Sequence, residues 1–544
     1  MWTRRANSFG GFLLAACLSA APAPDALAQS PVRDGSGRPV DALIYRIAVD
    51  VGPDAAAYRA SAEITFRITI DGTERVGFDF VGLTVDSVTA DGAPAGHELT
   101  GERLLVELGR SAEAGDTVVV RVVYGGAPED GLVFRNNRYG RPTVFADNWP
   151  NRARYWFPGV DHPSDKATVE FRVRAPREWR VVAVGELREV IDTEDGTKLW
   201  VWATDRPIPV YTMVLGAGEL VERELGTSGC DVETSPCVSI AQWTYAEDEE
   251  QLLQLFRRAP EIVAFFDSLI GPFPYEKLAL VQSSTRFGGM ENSSAIFLTE
   301  RVGRLDSADG LLAHEIAHQW FGDAITEREW PHVWLSEGFA TYFTSVFFEL
   351  VDGADVGAAS RARSEGSYLR SDAVARPLID AEPENLFRVL SANSYQKGAW
   401  VLHMLRSTLG DEAFFAGIRL YYADHRHGTA LTADLQKSME EASGEDLGWF
   451  FEQWLYRPGY PEVEVAHVWD PGEKVLRIHV RQIQYWGAFR IPLDLQAEGD
   501  GYSLRRTLEV QERESSFEWE LPSAPQRVEA DPENEILGPV HVVR

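Results

Sequence analysis

His314-Glu315-Ile316-Ala317-His318 sets two imidazoles four residues apart, and Glu337 follows after eighteen intervening residues. On a helix, side chains at i and i+4 share one face about one turn apart, so both imidazoles can reach a single ion. Glu337 stands far enough along for a second helix to return a carboxylate as third protein ligand. Two nitrogens and one oxygen leave a fourth position open, as a hydrolytic Zn²⁺ site requires. Glu315 lies one step round the helix from His314, where a carboxylate can take a proton from water without displacing a ligand.

The flanking residues supply the elements such a site needs. Asp306, Ser307 and Asp309 offer N-caps ahead of Leu311-Leu312-Ala313, and Gly322 is a natural stop after Trp320-Phe321. Ser336 is expected to cap a second helix through Phe339, Tyr342, Phe343 and Phe347, whose spacing gives one apolar face with Glu337 in the first turn. The metzincin pattern is excluded, because its later Gly and His would fall at Phe321 and Ala324.

Four stretches in order then resemble the M1 family of gluzincin aminopeptidases. Gly288-Gly289-Met290-Glu291-Asn292 matches the family's GxMEN motif. His314 to Asp323 and Trp334 to Phe343 match its two ligand segments. Ser394-Tyr395-Gln396-Lys397-Gly398 matches the segment that bears its tyrosine. A weaker match, Phe157 to Pro163, corresponds to the FPCFDEP-like stretch of the N-terminal domain. The resemblance implies one Zn²⁺ per chain on His314, His318 and Glu337, Glu315 as base and acid, and Tyr395 as hydroxyl donor to the oxyanion. It implies that Gly288 to Asn292 bind the peptide, with Glu291 pairing with its α-amine. The expected activity is removal of N-terminal residues from peptides. The rival readings are a zinc peptidase with relaxed or endopeptidase-like specificity and an inactive peptide-binding protein on the same fold. One departure bears on this choice. The family's second amine anchor, a Glu or Gln eight residues before the Phe of its FPCFDEP stretch, is here Trp149, with Asp147 and Asn148 as candidate substitutes.

Composition narrows the partners. A formal charge of −31 repels nucleic acid, and there is no Lys/Arg cluster to offset it. Residues 1–28 read as an export signal, with Arg4-Arg5, an apolar run and Ala26-Leu27-Ala28 as cleavage site. That run is too short for an ordinary membrane span, and no later run is long enough. Leu14-Ala15-Ala16-Cys17 also resembles a bacterial lipobox, so lipid anchorage at Cys17 and plain secretion both stay open. The expected location is the periplasm, the medium or the outer membrane of a bacterium. Cys230 and Cys237 then form the remaining pair, spaced for a small loop disulfide in an oxidising compartment.

The coarse pattern is multidomain α+β. After a linker over 29–41, alternation with Gly, Asp and Pro turns predicts a β domain over 42–240, saddle-shaped by the resemblance. Helical spacing predicts a mostly α, thermolysin-like zinc domain over 241–458. Renewed alternation predicts a small β-sandwich over 459–544. Many relatives add a helical domain after this point, and its lack here predicts a more open cleft.

Overall fold

A computed structural model describes residues 38–230, 237–380 and 385–543. The export signal, Cys17 and most of the expected linker lie outside them. The described chain divides into two compact units, one of 38–261 with 275–316, the other of 262–274 with 317–543.

The first unit is built on strands whose side chains alternate between core and solvent. In Arg59–Ile68, every second residue from Ala60 to Ile68 is buried. That period is what lets a strand bury one face. This strand pairs antiparallel with Val40–Asp50, which runs parallel to Lys166–Pro176. The nine-stranded sheet they share continues on one side through Thr197–Ala203 to Glu186–Asp192, and on the other through Thr117–Gly125 to Thr84–Ala90. A four-stranded and a three-stranded sheet complete the N-terminal β region.

A five-stranded sheet in the same unit carries the GxMEN segment. Its centre, Val238–Thr244, Lys277–Ser283 and Ala295–Thr299, is parallel, and Gly289–Met290 adds an antiparallel edge strand beside Ala295–Thr299. The parallel strand Lys277–Ser283 is buried from Leu278 onward, so it reads as a continuous apolar run rather than an alternation. The sheet draws strands from both sides of residue 240.

The second unit is helical and then β. Trp334–Phe347 packs on Gly398–Leu409 so closely that a Cβ on Gly338 would lie 2.9 Å from the Cα of Gly398. Phe321, Phe339 and Phe343 fill the space beneath, with ring centroids 4.5 and 5.1 Å from Phe321. Beyond helix Gly448–Tyr456, the strands form two sheets. One orders Glu514–Glu520, Val475–Gln482, Val463–Asp470 and Val540–Val543, and the other orders Tyr502–Val510, Ile491–Gly499 and Arg527–Ala530. The three-part α+β architecture expected from the pattern is the one observed. Among the described residues, no helix is long and apolar enough to cross a membrane.

Candidate metal centre

The helix Asp309–Ala317 begins where Ser307 Oγ accepts the Asp309 amide at 3.1 Å, one of the expected caps. It carries His314 and Glu315, and His318 follows directly on its last turn. Both imidazoles and the carboxylate are buried. His314, His318 and Glu337 offer ligand atoms that all lie within 4.8 Å of one another.

His318 is the better defined of the two imidazoles. Its Nδ1 lies 3.1 Å from the Phe321 carbonyl and 3.0 Å from Ser336 Oγ. A carbonyl only accepts, so Nδ1 carries the proton and Nε2 keeps its lone pair for a metal. Nε2 in turn faces Glu337 Oε2 at 3.3 Å. Two ligand atoms each about 2.0–2.1 Å from a tetrahedral ion stand about 3.3 Å apart, so this pair fits Zn²⁺ as it stands.

Ser336 was expected as the N-cap of the second helix, and the structure corrects this. That helix starts at Trp334, its N-cap Val333 makes no side-chain cap bond, and Ser336 sits inside the first turn. Its hydroxyl is spent instead on His318 and, at 3.4 Å, on the Phe321 carbonyl. The helix ends at Ala317, five residues before the expected Gly322 stop, and Gly322 lies in the turn beyond it at a φ of 119° that L side chains rarely adopt. A Cβ there would also stand 2.3 Å from Ser336 Oγ. Ser336, Gly322 and the Phe321 carbonyl thus form a holder for His318 that the sequence did not reveal.

Tyr395 lies in a single π-helical turn, Asn393–Lys397, and is half-buried. Its hydroxyl donates to Glu337 Oε1 at 2.6 Å, which puts the phenol at the ligand carboxylate. Two positions on, Lys397 is fully buried and donates to the Arg457 carbonyl at 3.1 Å. Burial, with Arg457 adding to it, pulls the lysine down to about 7.

The GxMEN segment meets the zinc helix through Glu315. A Cβ on Gly289 would fall 2.0 Å from Glu315 Oε1, whereas one on Gly288 would meet nothing within 4 Å. The absence of a side chain at 289 therefore makes room for a carboxylate of the chain itself. Glu291 is buried, and its carboxylate joins Glu315 and His318 within 4.8 Å. Met290 and Asn292 are buried as well. The turn after them is tied down by Lys277, which donates to the carbonyls of Ser294 at 2.9 Å and Ala183 at 3.0 Å.

The second amine anchor has no substitute at the candidate positions. Asp147 is ion-paired with Arg152 and, at 3.4 Å, with Arg286. Asn148 donates to the Met213 carbonyl at 2.8 Å and accepts from Trp156 Nε1 at 2.7 Å. Trp149 is buried and meets Phe287, just before the GxMEN glycines, edge to face at 6.3 Å. The loop therefore offers an aromatic surface, with its carboxylate already neutralised.

Other candidates are structural. His332 holds Thr432 Oγ1 at 2.8 Å, and burial, helped by Arg328, lowers it to about 4, so it stays neutral. Cys230 and Cys237 are joined in a disulfide.

Comparison with known proteins agrees with this geometry. The Peptidase M1 N-terminal domain matches residues 41–212, and the Peptidase family M1 domain matches residues 256–454. "Probable aminopeptidase 2" of Sulfurisphaera tokodaii is 27% identical over 80% of this chain and 56% of its own length. Tricorn protease-interacting factor F2 of Thermoplasma acidophilum is 30% identical over 72% of this chain and 50% of its own. The chain thus spans about half the length of the curated relatives it matches. In fold it resembles an M1 zinc metallopeptidase from Deinococcus radiodurans, with a TM-score of 0.67 and 24% identity over 78% of this chain and 95% of that one. Two imidazoles and a carboxylate at zinc spacing lie within the matched M1 domain, the M1 N-terminal domain precedes it, and the chain belongs to peptidase family M1.

Proposed function

We propose that the chain is a zinc aminopeptidase that hydrolyses the first bond of peptides with a free N-terminus. The convergence of Glu291 with Glu315 and His318 carries this reading, because it sets a carboxylate for the α-amine beside the metal centre. Zn²⁺ held by His314, His318 and Glu337 would supply Lewis-acid polarisation of the scissile carbonyl. Glu315 takes the proton of the attacking water on its carboxylate and hands it to the leaving nitrogen. Gly289 lets that carboxylate sit against the edge strand, so the base and the peptide-binding segment are positioned by one contact. Tyr395 turns its O–H from Glu337 to the developing oxyanion. Glu291 binds the ammonium and so selects which peptide bond lies over the centre.

A second reading has its own observation. With Asp147 held by Arg152 and Trp149 in the anchor's place, only one carboxylate of the expected pair faces the amine. That arrangement favours relaxed exopeptidase character. We also propose that the chain works outside the cytosol, which the export-signal pattern and the disulfide between Cys230 and Cys237 support.

The test is one peptide library, free and N-acetylated, incubated with the zinc-loaded protein and with Glu315→Gln, with products read by mass spectrometry. Stepwise loss of single residues from free peptides alone is the expected result. Internal cleavage of acetylated peptides would establish the relaxed reading instead. Absence of Glu315-dependent cleavage in both would reject peptide hydrolysis.

A further inference from the structure

The π turn that presents Tyr395 is clamped at both ends, and both clamps lead to one segment of the same unit. At its start, Asn393 is 3% exposed, and its Nδ2 donates to the carbonyls of Ala373, Arg376 and Pro377 at 3.0, 3.2 and 3.0 Å. The next two residues of that strip, Leu378 and Ile379, donate their amides to the Leu455 carbonyl, both at 3.0 Å. At the end of the turn, Lys397 is wholly buried and its Nζ donates to the Arg457 carbonyl at 3.1 Å. Residues 455–457, where helix Gly448–Tyr456 closes, therefore hold the turn from both sides. They are fixed in their turn by the C-terminal strands. Arg457 donates through Nη2 to the Ala488 carbonyl at 2.9 Å and lies over the Phe489 ring, 5.1 Å from its centroid. Gln453 exchanges two hydrogen bonds with the backbone of Arg490, at 2.7 and 3.0 Å.

A hydroxyl that serves a developing charge has to be aimed before that charge appears. Tyr395 is half-buried, in a single π turn, a rare backbone form that recurs at functional sites. Two residues on, an amine has been taken wholly out of water for the sake of one carbonyl. Packing alone does not call for it, since an apolar side chain of that length fills the space without the desolvation cost. We propose that Lys397 is a positioning residue, whose bond to the Arg457 carbonyl fixes the end of the turn and so aims the Tyr395 hydroxyl. Either protonation state of the amine has an N–H for that carbonyl. This rests on the peptidase reading, in which the Tyr395 hydroxyl meets the oxyanion.

Lys397→Met keeps the length of the side chain and removes the donor. With an aminoacyl coumarin amide, and rates expressed per zinc-binding site, it is expected to lower kcat about 10–100-fold with KM unchanged. Adding it to Tyr395→Phe should cost nothing further, because the group it misaims is then already gone. A phosphinic dipeptide, which mimics the tetrahedral oxyanion, should bind Lys397→Met more weakly by a similar factor in calorimetry. Lys397→Gln, shorter but still a donor, serves where the methionine variant does not fold, and its kcat should fall between that variant and wild type. Unchanged kcat, unchanged phosphinate affinity, or losses that multiply in the double variant would overturn the positioning role. Glu315-dependent hydrolysis by the otherwise unaltered protein tests the peptidase reading separately. Its absence removes both, whereas hydrolysis indifferent to Lys397 removes this inference alone.

Discussion

Orientation of a single imidazole is the tightest residue-level constraint in the metal centre. His318 presents Nε2 because Nδ1 is held by the Phe321 carbonyl and Ser336. Outer partners of this kind are worth about 10–100-fold in metal affinity. Ser336→Ala should therefore weaken Zn²⁺ binding by a factor in that range in competition with a fluorescent chelator. An unchanged affinity would mean that the Phe321 carbonyl holds the ring unaided. Tyr395 has a different signature, since its hydroxyl would act on charge that develops only during the reaction. Tyr395→Phe is expected to lower kcat by about 10²–10³ with little change in KM. A rise in KM with kcat intact would make it a binding residue instead. That His314 and His318 share one face was legible in the sequence because helical periodicity brings i and i+4 together, and the offset of Glu337 allowed a second helix to return it to them. Ser336 was not, because serine before Glu337 looks the same whether it caps its own helix or reaches a neighbouring turn.

At the scale of elements, the edge strand Gly289–Met290 and the zinc helix form one device. Glu315 Oε1 lies 2.0 Å from where a Cβ of residue 289 would stand, so a side chain there has to shift that carboxylate, the base of the proposed reaction. Misplacement of a reacting group by about 1 Å costs roughly 10²-fold. Gly289→Ala should lower kcat by at most about that factor, since the flexible Glu315 side chain can give way, with the melting temperature within a few degrees, and Gly288→Ala should leave Glu315 in place. Equal effects at both positions would show that the segment needs flexibility rather than room. The GxMEN resemblance marks 288 as the motif's glycine and 289 as its variable position, whereas the contact with Glu315, which only the approach of a distant helix creates, falls on 289. The helical and strand patterns were otherwise readable: Val463–Asp470, Val475–Gln482 and Tyr502–Val510 each contain the run that alternation predicted. What alternation does not give is sheet membership, and so the sheet drawing strands from both sides of residue 240 was not foreseen.

For the whole molecule, acidity is both a surface and an interior property. The net charge of −31 resides mostly on exposed carboxylates, but Asp165 is buried and accepts the Ala42 amide at 3.1 Å. Burial raises it to about 7, well above the value of an unfolded aspartate near 3.9. The folded chain therefore holds a proton that the unfolded chain has lost. This contribution to stability is complete below about pH 3.9 and is lost as pH rises through 7. Asp165→Asn keeps the acceptor and removes the charge. Its melting temperature should match wild type near pH 4 and exceed it at pH 8, by about 2–4 °C for each kcal/mol relieved. A difference independent of pH would assign the effect to packing.

Glycine at 289 also limits how this protein can vary. Every single-base change that alters a glycine codon's amino acid introduces a side chain, or else a stop. Residue 289 thus has no neighbour in codon space that leaves the Glu315 carboxylate where it is, and each change there has to be taken up by that side chain. Residue 288, the fixed glycine of the GxMEN pattern, has no atom within 4 Å of where a Cβ would stand, so its constraint is not a contact with Glu315. A saturation library selected for activity should therefore accept at 289 the side chains for which Glu315 can move aside, the smallest first.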